Sequence, residues 1–373
     1  MYNLGDSSYK KQPKVMSHFV IDAVIREALA HALKHDLKTF YISFHGGEPL
    51  LAGIPVFEYF VTRAKAAFSS NGVKINFSVQ TNGILIDEDW CDFFDKHDIC
   101  VGISLDGDEE ANDKNRVYHN GKGSYQDVVK GMTLLQNSGH NLKGGILSVI
   151  DSDADPVSLY MHYKNFGLIY LDLLFPDSNY EKPYKNYDWR NNTTYADWLI
   201  AFYDQWFYDH DEHKPMIRLF SNIMQGIMGN FQSSDFLGHQ ENHVLVIETD
   251  GSIEPVDVLK ICGDGFTKQG MNITRNSIED AFRKELIQLY YLSHLDLHPK
   301  CQSCPIKEIC GGGYLPHRYS PDNGFNNPSI YCQDLIKLIT HIRSRLVEKL
   351  SECLEEKAPF AEITYGDMLS IHA

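Results

Sequence analysis

Four cysteines near the C-terminus, Cys301, Cys304, Cys310 and Cys332, are the residues best equipped for chemistry. They read C-x2-C-x5-C followed by Gly311-Gly312-Gly313-Tyr314, and the fourth comes after a loop rich in Pro and Asn. Two intervening residues let the first pair of sulfurs converge on one centre, and the glycines let the backbone turn tightly beside Cys310. Such a thiolate quartet holds either a tetrahedral zinc or an iron–sulfur cluster. Zinc ribbons usually present two C-x2-C knuckles, and here there is one.

These cysteines need a scaffold, and 373 residues suffice for two or three domains with their own cores. Hydrophobic content of 43% and aromatic content of 12% are those of a folded chain. Fifty acidic against 34 basic residues give a net charge of −16, which argues against nucleic acid or an anionic membrane as the main partner. No apolar run reaches membrane-spanning length, and the N-terminus has no secretion signal, so the expected location is cytoplasmic. Eight cysteines in such a chain suit reduced thiols and metal work rather than disulfides. Cys91 and Cys353 fall in helical patterns as packing residues.

The first half alternates helical and strand patterns. Ser17 is an expected N-cap, followed by Val20, Ile21, Val24, Ile25, Ala28, Leu29, Ala32 and Leu33 at helical spacing. Strands are predicted over 39–44, 75–80, 100–105, 145–150 and 168–175, with helices over 55–67, 87–97 and 125–138 between them. Repeated βα units of this kind build a parallel sheet or barrel covered by helices. Each strand runs into a polar motif: HGGEP, TNG, S-L-D-G, Asp151, and Pro176-Asp177. Parallel α/β proteins place their sites at these strand ends. Residues 187–240 form a helical, aromatic-rich connector. A hairpin-like pair surrounds Asp250-Gly251, and Leu335, Leu338, Ile339, Ile342, Leu346 and Leu350 make one stripe of a long helix.

His45-Gly46-Gly47-Glu48-Pro49 suits an amine or cation, because the glycines permit close backbone approach and Glu48 supplies a carboxylate. Taken with TNG, Ser104-Leu105-Asp106-Gly107, Arg116 and the cysteine quartet, this motif makes the chain resemble radical S-adenosylmethionine (SAM) enzymes with a SPASM-type extension. The resemblance implies an α/β fold: a partial (β/α)6 barrel lacking its first strand, then a small SPASM/twitch-like cysteine domain and a C-terminal helix. The implied divisions are 1–186, 187–240, 241–333 and 334–373. His45, Gly46, Gly47, Glu48 and Pro49 would bind the methionyl amino group of SAM, Ser104 its ribose or methionyl part, and Arg116 a further part. Cys301, Cys304, Cys310 and Cys332 would ligate one auxiliary [4Fe–4S] cluster. A second, inner cluster is not expected, since Val256 and Tyr314 stand where its cysteines would be, and Cys262 is read as a loop-exposed non-ligand. Asp257 matches the proposed acid/base of sulfatase-maturating relatives, against a plain turn carboxylate.

The segments YNLGDSSYKKQPKVMS, FHGGEPLL, ETDGSIEPVD and CGGGYLPHRYSPDNGFNNPSIYC further resemble maturases that form cyclophane crosslinks in ribosomal peptides. This implies a carbon–carbon bond between an aromatic ring and a nearby β-carbon of a precursor peptide. The electron donor would be a flavodoxin or ferredoxin. Formylglycine formation on sulfatases is the alternative within the class, and a zinc- or cluster-stapled peptide-binding protein the alternative outside it. The C-x3-C-x2-C motif expected for the catalytic [4Fe–4S] cluster lies, in relatives, just upstream of a Y-N-x-G-D segment that here begins at Tyr2. The expectation is a truncated chain that cannot cleave SAM alone, with loss of radical chemistry as the competing reading.

Overall fold

The computed structural model describes residues 5–138, 145–231, 234–238, 240–354 and 363–372. Met1 to Leu4, which carry the start of the Y-N-x-G-D segment, lie outside the described residues, as does the side chain of Cys353. The centre is a six-stranded parallel sheet of β1 (Thr39–Phe44), β2 (Lys74–Thr81), β3 (Ile99–Ser104), β4 (Ile146–Val149), β5 (Tyr170–Leu174) and β6 (Met216–Ile217). Spatial order equals chain order. Doubly wound sheets reverse direction at a switch point, whereas an unbroken order with intervening helices is the progression of a barrel.

Helices α1 (His18–Lys34), α2 (Ile54–Ser69), α3 (Glu88–His97), α4 (Glu109–Asp113), α5 (Tyr125–Asn137) and α6 (Pro156–Asn165) surround the sheet, α1 preceding β1 and the others joining its strands. Their starts follow from capping chemistry. Ser17 Oγ accepts from Val20 N at 3.3 Å, Asp87 from Trp90 N at 2.9 Å, and Asp155 from Ser158 N at 2.7 Å with Pro156 at the first helical position. The α2 face bearing Phe57, Phe60, Val61 and Ala64 is buried against the sheet, with the Phe57 ring 4.5 Å from Phe44. Each such aromatic or aliphatic residue contributes about 1.5–3 kcal/mol by leaving water.

The predicted strands and helices of the first half all appear, shifted by a residue or two at their ends. Two elements follow β5 before β6 is complete: α7 (Thr194–Phe207) and the short β6, which pairs Met216 and Ile217 with Tyr170 and Leu171. The stretch read as wholly helical thus adds a strand to the sheet. Trp198, Phe202, Tyr203 and Trp206 of α7 are buried, as their helical spacing indicates.

After α8 (Arg218–Ile227) comes the cysteine-bearing region. It has one antiparallel pair, β7 (Val246–Ile247) and β8 (Ile253–Glu254), and short helices α9 (Ile278–Ala281), α10 (Glu285–Tyr291), α11 (Pro299–Gln302) and α12 (Lys307–Cys310). The long α13 (Cys332–Leu354) buries Leu335, Leu338, Ile339 and Ile342 in the main core, and α14 (Tyr365–His372) follows. Asp334 locks α13 to the barrel side by accepting from Ala196 N at 2.8 Å and from the Tyr187 hydroxyl. The N-terminal segment is tied to the same region: Gly265 N donates to Asp6 Oδ1 at 2.7 Å and Ser7 N to Asp264 Oδ1 at 2.6 Å.

Candidate functional site

At the C-terminal end of β1, His45, Gly46 and Gly47 are exposed. Gly46 has φ +134°, a conformation that side chains rarely adopt, and a Cβ on either glycine would meet nothing within 4 Å. The two glycines therefore border open space. Glu48 is anchored instead. Its Oε1 caps the 3-10 turn Pro49–Ala52 through Leu50 N at 3.0 Å and accepts from Thr81 Oγ1 at 2.7 Å, while Oε2 accepts from Asn82 N at 2.8 Å. HGGEP and TNG are thus one unit, with the carboxylate of the first holding the second.

Ser104, the last residue of β3, accepts from Gln80 Nε2 at 2.9 Å. Two residues on, Asp106 receives Arg116 in a bidentate pair, Nε to Oδ2 at 2.5 Å and Nη2 to Oδ1 at 3.0 Å, with both residues only 9% exposed. Asp106 Oδ1 also accepts from Val149 N at 2.9 Å, which ties the S-L-D-G turn to β4. Asp151 at the next strand end accepts from Lys114 at 2.7 Å and Lys185 at 3.3 Å. Although burial pushes its pKa up, these partners bring it below the usual carboxylate range.

Asp177, after β5, differs from these. Burial, then the charge of Asp257, pushes its pKa up to about 7. Asp257 itself opens the 3-10 turn Asp257–Cys262 in the cysteine-bearing region, so the two regions bring their acids together. Asp235, Tyr290 and Tyr314 join them. Burial raises all three, and the charge of Asp257 acts on both tyrosines. His317 lies against this group, 1% exposed, edge-on to the rings of Tyr314 at 5.4 Å and Tyr331 at 5.0 Å. Neither of its ring nitrogens has a protein partner, and burial pushes its pKa down to about 3, so the imidazole is neutral. The resemblance singled out Asp257 but not Asp177, whose place at a strand end like that of Asp106 and Asp151 was the available signal. Asp235 sits in no motif.

Cys301, Cys304, Cys310 and Cys332 are free thiols lining one small cavity of about 20 Å³ with Ile306, Gly312 and Ser329. Gly311, Gly312 and Gly313 all have positive φ (+62°, +82° and +71°), and a Cβ on Gly311 would fall 1.7 Å from Gly238 O. Only glycines allow that turn. Burial pushes Cys301 up to about 11 and Cys332 up to about 12, and raises Cys304 and Cys310 as well. Four thiols buried together ionise only with a cationic centre among them. The fully buried Arg318, held by Ser293 O at 2.9 Å and Asp296 O at 3.2 Å, adds positive charge beside Cys301 and Cys310.

Zinc, at about 2.3 Å from each sulfur, would set them about 3.8 Å apart. Among the described residues, no three of the four sulfurs lie mutually within 4.8 Å of one another. A multi-iron cluster, whose thiolates ligate different irons, does not require them to. Val256 and Tyr314 pack in an apolar cluster with Leu259, Ile261, Tyr290 and Leu315. Cys262 belongs to that cluster. It is 5% exposed rather than exposed on a loop, because the 3-10 turn folds it inward.

Residues 9–160 match the family model of the Radical SAM superfamily. Enzymes of that superfamily use SAM and [4Fe–4S] clusters, the cofactors implied by the motifs. The chain is 27% identical over 342 residues to a cysteine-type anaerobic sulfatase-maturating enzyme of Clostridium novyi, covering 89% of this chain and 87% of the relative. A serine-type anaerobic sulfatase-maturating enzyme of Klebsiella pneumoniae is 23% identical over 285 residues, 75% of this chain and 69% of the relative. The solved structure of native anSMEcpe with bound AdoMet shares the fold, with a TM-score of 0.79, 23% identity and 95% of each chain covered. These findings overturn the expected cyclophane-forming maturase, since whole-length relatives carry sulfatase-maturating names. The segments that suggested it do fold-level work: Glu48 joins strand ends, Val256 fills an apolar cluster, and the glycines after Cys310 make a turn.

Among the described residues no helix is long and apolar enough to cross a membrane.

Proposed function

We propose that the chain is a cysteine-type anaerobic sulfatase-maturating enzyme, a radical SAM oxidase that removes two electrons and two protons from a cysteine side chain of a sulfatase-derived peptide. This gives a thioaldehyde whose sulfur is replaced by water and leaves as hydrogen sulfide, so that the aldehyde of formylglycine remains. The observation that carries this reading is the extent of the likeness. It spans 89% of the chain with the cysteine-type relative and so runs through both the barrel and the cysteine-bearing region, at 27% identity against 22% over 94% of the chain with a serine-type one.

When bound, SAM supplies the hydrogen-abstracting radical and the cysteine-held [4Fe–4S] centre an acceptor for the electron that follows. Gly46 and Gly47 leave room at the strand end for the methionyl amine, with His45 and Pro49 flanking them and Glu48 supplying charge. Ser104 is placed for the ribose or methionyl portion. Arg116, committed to Asp106, is a positioning residue for that turn. Asp257 accepts the substrate thiol proton, and Asp177, near neutrality, holds the neighbouring proton. Cys301, Cys304, Cys310 and Cys332 would hold the auxiliary centre, and flavodoxin or ferredoxin is the proposed reductant.

The test is anaerobic incubation of the full-length, iron-reconstituted protein with SAM, reductant and peptides that carry either the convertible cysteine of a sulfatase or serine in its place. Mass spectrometry should detect an aldehyde on the cysteine peptide, formed together with 5′-deoxyadenosine. Formation of 5′-deoxyadenosine with both peptides left unmodified would refute the substrate assignment.

A further inference from the structure

On the outer side of the barrel, away from the strand ends, His31 and His35 lie one turn apart on α1. Residues four apart on a helix share a face, so both rings point the same way, with centroids 4.5 Å apart. Facing them is Glu279 of α9, from the cysteine-bearing region. Its Oε1 lies 2.6 Å from His31 Nδ1 and 2.9 Å from His35 Nε2, and the three ligand atoms all fall within 4.8 Å of one another. We infer that His31, His35 and Glu279 form a binding site for a divalent transition-metal ion, with zinc the best match, at the seam between the barrel and the cysteine-bearing region.

The donor set is the argument. Two imidazoles and one carboxylate are a standard three-ligand zinc set that leaves a fourth position for water. With metal–ligand bonds of about 2.0–2.1 Å, tetrahedral to square angles place neighbouring donors about 3.0–3.4 Å apart. At the tetrahedral separation of about 3.4 Å, His31 Nδ1 would recede from Oε1 by about 0.8 Å and His35 Nε2 by about 0.5 Å, within the reach of side-chain rotation. Side-chain exposures of 20%, 45% and 27% for His31, His35 and Glu279 leave the site open to an incoming ion. Lys34 Nζ donates to the other oxygen, Oε2, at 3.0 Å, so the carboxylate is oriented with Oε1 toward the rings. Burial opposes ionisation of Glu279, but the partners His35, Lys34 and His31 outweigh it and hold its pKa at about 2, so the ligand is anionic.

The backbone is fixed without the metal. Ser277 and Asp280 close a capping box at the start of α9. Ile278 of α9 packs with Ala28 and Ala32 of α1, and Ala281 with Val20 and Ala23. A site preorganised on two packed helices loses little entropy on binding.

The test is a Zn²⁺ titration against a chromophoric chelator, using protein already loaded with its iron–sulfur centre so that the four clustered cysteines are occupied, with iron content followed throughout. Wild-type protein should take up one more zinc per chain than the double variant His31→Gln, His35→Gln. It should also gain a few degrees in thermal midpoint with Zn²⁺ that the variant does not. Glu279→Gln should weaken that zinc by at least about tenfold, since even second-shell losses cost that much. His35→Gln alone, at a half-exposed helix position, supplies the same comparison should the double variant fail to fold. Equal zinc uptake by wild type and variants, or no zinc-dependent shift in wild type, would overturn the inference. No turnover is measured, so the outcome is independent of the proposed activity.

Discussion

Two sets of carboxylates meet near the C-terminal end of the sheet, and they are treated in opposite ways. Glu48 and Asp106 have their oxygens taken up by Thr81, Asn82, Leu50, Arg116 and Val149. Asp177 and Asp257, from different regions, are set against each other with buried phenols around them, and Asp177 is pushed toward neutrality. A carboxylate with every lone pair committed is a joint. One whose neighbours disfavour its charge is available for proton transfer.

Breaking a joint should cost most in stability. Arg116→Ala leaves Asp106 buried without its counter-charge and should destabilise by about 3–5 kcal/mol in denaturant unfolding. Pairing Arg116→Met with Asp106→Asn, which keeps an acceptor for Val149 N, should recover most of that loss. If the single variant is as stable as wild type, Asp106 is no joint. Asp257→Asn should do the reverse, with turnover falling by about 100-fold or more and the melting temperature hardly changed. A parallel fall in both would move Asp257 into the first set.

Glu48 tests whether one residue belongs to both sets. Glu48→Gln keeps an acceptor but weakens charge-assisted bonds, for a loss of about 1–2 kcal/mol. Calorimetry should also find weaker SAM binding, and unchanged affinity would leave Glu48 a joint only.

The remaining test is a pH slope. Asp177 has a folded-state pKa of about 7 against an unfolded value of about 3.9, so the folded form binds its proton more tightly. Its contribution to stability is therefore greatest below pH 4 and is lost as pH rises toward 7. Asp177→Asn should flatten that part of the stability curve, as followed by urea unfolding at several pH values. A slope identical to wild type would remove Asp177 from the second set.

What could be read in advance follows from the range of the interactions. The strands from β1 to β5 were legible as short apolar runs ending in polar motifs, and Ser17, Asp87 and Asp155 mark helix starts through local capping bonds. β6 was not legible, because two residues after Pro215 carry no period and the strand exists only by pairing with Tyr170 and Leu171. The cysteine quartet was readable from its spacing, yet that all four line one pocket needed coordinates. Asp177 lay in plain view at a strand end, but its altered protonation depends on Asp257, eighty residues further on. Glu279 meets His31 across a separation of 248 residues, which no local pattern encodes.

The anchoring of Asp6 and Ser7 to Gly265 and Asp264 spans 259 and 257 residues of chain. During synthesis, a ribosome adding about 5–20 residues per second leaves those two N-terminal side chains without their partners for on the order of tens of seconds. Residues that emerge early are thus among the last to find their places. Their docking is a closing step of folding, one that reports that the cysteine-bearing region has been made and has folded back onto the barrel.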